Sequence, residues 1–177
     1  MSNQFGIEVK TMSAKIIISD HEPGMNPTAE ELTKVIMQRM GLMPRKEGAT
    51  DKMHNVLAEL YERMKGAQRE KRPESSVMTV EELGLHAGIT RQTMYDYLKR
   101  WLELDLITKT SYIHEGKVIV GYKLNGSTLE SSFEKAVQKV NNHLETSMKY
   151  VRELQKLIKN EKISSAQQKR QENDTFD

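Results

Sequence analysis

Residues 81–107 carry the pattern that most restricts the fold, which is two short helices joined at a glycine. Apolar spacing predicts a short helix over 81–87, a turn at Gly88 and Ile89, and a longer helix that Thr90 caps. The inward face of that longer helix is defined by residues at helical spacing: Met94, Leu98, Trp101 and Leu104. Two helices this short can bury their apolar faces only against further elements, so other parts of the chain must supply helices or strands that pack against them.

Two β-rich runs follow this helix pair. Residues 107–113 and 117–124 flank the short connection His114-Glu115-Gly116. β-branched and aromatic residues on both sides of a short glycine-containing link predict a β-hairpin.

A helix precedes the pair, and a resemblance links the whole run to known regulators. Apolar spacing predicts a helix over 51–71, ended by Pro73, and a short extended piece over 77–80. Helix, short strand, helix, turn, helix and hairpin, in that order, form a winged helix-turn-helix. The run from Gly88 to Trp101, closed by Leu104-Asp105-Leu106-Ile107, resembles the recognition helix of MarR, PadR and TrmB regulators.

The resemblance is carried by particular positions. Those families have a Gly-Ile-like pair before a Ser or Thr cap, a small polar and an apolar residue where Thr93 and Met94 stand, and a closing Gly-Leu-Ile. Asp105 replaces that closing glycine here, and aspartate tolerates the left-handed backbone that the turn requires. The resemblance covers 75–124 well, 51–72 loosely and 1–50 not at all.

The resemblance implies a DNA-binding dimer in which helix 90–104 enters the major groove and the wing, 107–124, reaches the flanking backbone or minor groove. The first exposed turns of such a helix meet base edges, where Arg pairs with guanine and Gln with adenine. The predicted DNA-binding residues are Arg91, Gln92, Thr93, Tyr95 and Lys99 on the helix, with His114 and Lys117 at the hairpin tip.

Charge gives this interpretation only modest support. The chain has a net charge of +2, and the basic residues between Thr90 and Lys123 exceed the acidic ones by only two. Asp96 and Glu115 would face phosphate unless Asp96 pairs with Lys99 or Arg100. We therefore expect the affinity to depend on dimerisation and on several contacts in each half-site.

A long helix over 128–162 is predicted to supply the dimer interface. Two rows of residues, each with a spacing of seven, define what we call the apolar seam. One row is Val137, Leu144, Val151 and Ile158, and the other is Phe133, Val140, Ser147 and Leu154. A strict heptad repeat over four heptads favours a coiled coil, and Ser147 is its weak position. The polar tail 163–177 is expected to be disordered.

The first 50 residues are expected to form an N-terminal extension with a short strand at 14–19 and an amphipathic helix at 28–40. The strand prediction rests on Lys15-Ile16-Ile17-Ile18, and the helix prediction on a Thr28 cap followed by apolar residues at helical spacing. The fold class is thus mainly α with a small β-wing: an extension 1–50, a winged helix-turn-helix 51–125, a long C-terminal dimerisation helix and a tail.

Several function classes are not favoured. The chain has no cysteine, which excludes disulfides and thiolate chemistry, and its five histidines lack metal-ligand spacing. No phosphate-binding loop or catalytic set is recognisable, so we expect no enzyme, cofactor or metal. Without a signal-peptide pattern or membrane span, the expected location is the cytoplasm.

The preferred interpretation is a dimeric, sequence-specific transcription regulator of double-stranded DNA. One alternative is a winged helix that serves as a protein-interaction module, favoured by Asp96, Glu115 and the low net charge. Another is a replication or partition protein of a plasmid or virus, which would also bind DNA. An effector, a target sequence and the sign of regulation are left open.

Overall fold

The computed structural model describes residues 17–44 and 52–174 and shows a mainly helical chain with one small antiparallel sheet in that part. The order of elements is α1 (Ala29–Arg39), α2 (Met53–Glu70), a 3-10 turn (Pro73–Ser76), α3 (Val80–Ala87), α4 (Arg91–Glu103), β1 (Ile107–His114), β2 (Lys117–Leu124) and α5 (Leu129–Asp174). The chain divides into two compact units, 1–136 and 137–177. No helix in the described ranges is both long and apolar enough to cross a bilayer.

Local sequence signals determine where α3 and α4 begin and end. The Thr79 hydroxyl accepts from the Glu82 amide while the Glu82 carboxylate accepts from the Thr79 amide, which completes a capping box at the start of α3. Gly88 ends α3 in the left-handed conformation, with φ of 66°. The Thr90 hydroxyl then accepts from the Thr93 amide and caps α4. The observed bounds of these two helices agree with the predicted ones to within a residue.

The hairpin has the predicted position, and its first strand is one residue longer than expected. His114 pairs with Lys117, which leaves only Glu115 and Gly116 in the turn. Both turn residues have positive φ, 49° and 75°, as in the mirror-image turn that matches strand twist. Asp105 also has positive φ, 58°, as the sequence predicted.

The hairpin is tied to the helices through a third extended segment. Met78 and Tyr122 exchange two backbone hydrogen bonds of 2.9 and 2.8 Å. A Cβ atom at the neighbouring Gly121 would lie 2.5 Å from the Met78 carbonyl oxygen, so only glycine allows this approach.

The core of the first unit lies between α2, α3, α4 and the base of the hairpin. The predicted stripe of α2 is confirmed, because Met53, Val56, Leu57, Leu60 and Met64 are all buried. Met94, Leu98 and Trp101 face this core from α4 with essentially no exposure. The inward face of α4 therefore holds the helix in place while its other face meets solvent.

The N-terminal extension packs on α4 as well as α2. Leu42 and Met37 are fully buried, and the Trp101 indole donates to the Leu42 carbonyl at 3.4 Å. Arg100 donates to the carbonyls of Gly41 and Met43. We call this set of contacts between 41–43 and α4 the N-terminal clasp.

The strand predicted at 14–19 is not found in the part of it that the structure describes. Residues 14–16 lie outside the described residues, and 17–19 are neither strand nor helix. Instead the Ser19 amide and hydroxyl donate to the carbonyls of Arg39 and Gln38 at the end of α1. The Ser19 amide is thereby bonded to the end of α1 and is not available for pairing with a neighbouring strand.

The prediction of a disordered tail is wrong over 163–174, which continue α5. Low apolar content led to that prediction, but the segment has neither glycine nor proline and is rich in Gln, Lys, Arg and Glu. Those residues have high intrinsic helix propensity, so nothing in the sequence ends the helix after Lys162. Residues 175–177 lie outside the described residues.

Candidate nucleic-acid interface

Helix α4 presents a continuous exposed face opposite its buried one. The five predicted helix residues of the interface all lie on it: Arg91, Gln92, Thr93, Tyr95 and Lys99. Met94 and Leu98 point the opposite way into the core. Helical geometry, with about 100° between successive residues, places Gln92 and Lys99 opposite Met94 and Leu98, while Arg91 and Tyr95 lie nearer the edge of the exposed face.

Arg91 is not a free cation. Its guanidinium lies 3.2 Å from the Glu81 carboxylate of α3 and donates to the Tyr95 hydroxyl at 3.1 Å. The Tyr95 hydroxyl first, and then the charge of Glu81, raise the pKa of Arg91 above its ordinary value. The guanidinium is therefore held in place and remains charged, but Glu81 offsets part of its attraction for phosphate.

Sequence reasoning did not find Glu81. It lies ten residues before Arg91, and only the turn at Gly88 brings the two helices together. The capping pattern of α3 placed Glu81 in the first turn of that helix, where an acidic residue also interacts favourably with the helix dipole.

Gln92 and Lys99 are available for contacts. Neither side chain makes a hydrogen bond or ion pair with another described residue, and both are exposed. The Thr93 hydroxyl lies 3.0 Å from that of Thr90, so its methyl group is the freer part.

Asp96 and Arg100 do not pair. Arg100 extends toward the N-terminal clasp, and its guanidinium stacks over the Tyr97 ring at 5.4 Å. Asp96 is exposed and forms no ion pair within the described ranges. Its carboxylate thus stands unneutralised on the same face as Lys99.

The tip of the hairpin holds the other two predicted residues. His114 and Lys117 are cross-strand partners and both are exposed. The His114 ring packs edge-on to Tyr112 at 6.5 Å and lies 4.0 Å from the Glu115 carboxylate. The Lys117 side chain makes no hydrogen bond or ion pair with a described residue, so it is the freer of the two.

One face of the hairpin is apolar beyond the core, which sequence reasoning missed. Register and strand alternation place Ile113, Val118 and Val120 on the face that continues from buried Tyr122. Ile113 and Val118 are directly paired and are 76% and 67% exposed. The signal was the run Val118-Ile119-Val120, which is apolar on both faces of its strand, whereas a half-buried strand alternates.

The apolar seam lies along α5. Five of its members are exposed large hydrophobic residues, Val137, Leu144, Val151, Leu154 and Ile158, and Leu144 is 57% exposed. Phe133 and Val140 are half-buried, and Ser147 is exposed. Together the five form a long row of exposed apolar side chains, a feature typical of an interaction surface.

Comparisons with known proteins give no match. No protein-family model matches the chain, and neither curated protein sequences nor solved structures match it. Within the described ranges, no group of three histidine or acidic side chains has the arrangement of a metal site.

Proposed function

We propose that residues 51–125 form a winged helix-turn-helix and that two copies of the chain bind double-stranded DNA as a sequence-specific transcription regulator. In this proposal α4 enters the major groove and the hairpin is the wing. The observation that carries it is the exposed polar face of α4, which is anchored by a buried face and capped at the end that would meet the bases.

The chemistry of that face suits base reading. Gln92 is an unengaged amide that can pair bidentately with adenine, and the Arg91 guanidinium can do the same with guanine. Lys99, further along, would reach a phosphate, and Lys117 would reach the backbone beside the wing. The protein acts by binding in this proposal, without catalysis.

Selection of bound duplexes from a random pool, followed by a salt titration on the selected site, tests the proposal. We expect Gln92→Ala to weaken the selected site by about 5- to 150-fold, equivalent to about 1–3 kcal/mol, and to relax preference at one base pair. Lys99→Ala should weaken all duplexes alike and lower the salt slope by about 1. Arg69→Ala, an exposed cation on α2, is the matched control and should leave the slope unchanged.

A second candidate function is a protein-interaction module. The exposed pair Ile113 and Val118 supports it, since apolar side chains gain little beside phosphate and much against another protein. The Glu81 carboxylate beside Arg91 supports it too. Absence of duplex binding at low salt, together with a folded protein, would favour this candidate over DNA binding.

A further inference from the structure

We propose that the apolar seam of α5 pairs with the same seam of a second copy in the antiparallel direction, with the two-fold axis between residues 145 and 146. This inference rests on the proposed dimer and specifies its geometry. The facing residues in this register are Phe133 with Ile158, Val137 with Leu154, Val140 with Val151, and Leu144 with Ser147, each from opposite copies.

A second copy is the occupant because the seam complements itself. Antiparallel helices place the first row of one heptad against the second row of the other, and here that register pairs every apolar member of the seam. The other antiparallel registers fail. A shift of one heptad in one direction sets Glu161 against Val137, and a shift in the other direction sets Gly126, which precedes α5, against Ile158.

Ser147 distinguishes the two directions. Its hydroxyl donates to the His143 carbonyl of its own helix at 3.1 Å, so it needs no polar partner across the interface and acts as a small side chain. Parallel pairing would stack Ser147 on Ser147 and leave a void between two leucine or valine layers. Antiparallel pairing instead sets each Ser147 against a Leu144, and large-against-small packing fills the layer.

The residues beside the seam do not favour parallel pairing. Parallel coiled coils are selected by opposite charges that flank the seam. Here parallel flanks would bring together His143 with Met148, Tyr150 with Gln155, and Leu157 with Lys162, none of which is an ion pair of opposite charges. Antiparallel pairing would place His143 beside Tyr150 of the second copy, once on each side of the two-fold axis.

Cysteine cross-linking tests the direction cleanly because the chain contains no cysteine. Val137→Cys and Leu154→Cys are made separately and also co-expressed with different tags. In the antiparallel dimer, residue 137 of one copy faces 154 of the other, whereas like residues lie about 26 Å apart along the axis. A disulfide needs Cα atoms within about 7 Å, so neither single variant should cross-link on oxidation.

The co-expressed pair should give a mixed dimer that is linked by a disulfide. If the two variants pair at random, mixed dimers make up about half of all dimers. Asn142→Cys, on the opposite side of the helix, is the control and should not cross-link. Sedimentation of the reduced variants establishes that they are dimeric, and Val140→Cys with Val151→Cys, the next facing pair, replaces any variant that is not.

Each outcome has a separate meaning. Efficient cross-linking of the single variants, with a dimer in sedimentation, overturns the antiparallel direction and leaves the proposed dimer standing. A cysteine-free chain that sediments as a monomer at micromolar concentration overturns both. A mixed cross-link without single cross-links supports the inference.

Discussion

Arg91 illustrates how one contact adjusts a binding face. Because the Glu81 carboxylate lies 3.2 Å from its guanidinium, the proposed reading helix begins with a partly neutralised cation. We predict that Glu81→Gln raises duplex affinity about 2- to 5-fold at low salt, the size expected for one exposed charge pair. Fluorescence anisotropy at two salt concentrations measures it.

Glu62→Gln, which removes an exposed carboxylate from α2, is the control for the change in net charge. If both variants gain the same duplex affinity, the effect of Glu81→Gln comes from the change in net charge and not from the contact with Arg91. A fall in affinity with Glu81→Gln would mean that Glu81 orients Arg91 for its partner.

Glu115 has a backbone conformation that its side chain does not favour. It is the first of two turn residues with positive φ, a position where Asn-Gly is preferred. We predict that Glu115→Asn raises the free energy of unfolding by about 0.5–1 kcal/mol, since asparagine tolerates this conformation better. Urea denaturation measures this.

The same substitution separates the two candidate functions. Removing the carboxylate at the hairpin tip should strengthen duplex binding if the tip lies near phosphate, and leave it unchanged if the hairpin meets protein. Glu70→Asn, at the exposed end of α2, is the control for charge.

Residue placement on α4 followed from the sequence, but residue pairing did not. Periodicity alone separates Gln92 and Lys99 from Met94, because one helix determines both faces. Glu81, which pairs with Arg91, and the Gly41 and Met43 carbonyls, which accept from Arg100, lie far away in the sequence, so no local pattern contains these contacts. The exposed apolar pair Ile113 and Val118 was visible in composition, yet only register showed which face carries it.

At the scale of elements, the N-terminal clasp joins the N-terminal extension, for which the sequence predicts no function, to α4, the proposed recognition helix. Leu42 is fully buried, and its carbonyl accepts from Trp101. We predict that Leu42→Ala lowers the free energy of unfolding by about 2–5 kcal/mol through lost burial and a cavity. Met25→Ala should change it little because Met25 is 97% exposed.

Urea denaturation compares these two variants with the parent. If Leu42→Ala and Met25→Ala have the same free energy of unfolding, the contacts of the clasp with α4 do not contribute to the stability of the fold.

Element types were largely predictable, and the errors have physical causes. Helix caps, the left-handed Gly88 and the hairpin glycine are local signals, so α3, α4 and the strands were placed within a residue or two. The strand at 14–19 was inferred from β-branched residues, but a strand also needs a neighbour, and Ser19 bonds α1 instead. The length of α5 was underestimated because the apolar heptad repeat stops earlier in the sequence than the run of residues with high helix propensity.

At the scale of the whole molecule, the proposed dimer would make duplex binding depend on association through the apolar seam. We predict that Leu144→Asp converts the chain to a monomer at micromolar concentration and abolishes duplex binding with it, since the charge would enter the middle of the seam. Sedimentation and anisotropy on the same samples measure both. Asn142→Asp adds the same charge away from the seam and should change neither.

Loss of dimerisation without loss of duplex binding would contradict this prediction. A monomeric Leu144→Asp variant that still binds the selected site at parent affinity would show that one copy suffices.

The N-terminal clasp also has a consequence for the order of events during synthesis. Leu42 emerges from the ribosome 59 residues before Trp101, whose indole donates to the Leu42 carbonyl. At about 5–20 residues per second, that interval is roughly 3–12 seconds. During it, Leu42 lacks the helix on which the clasp packs, so nascent chains should be exposed to chaperone capture until α4 has been made.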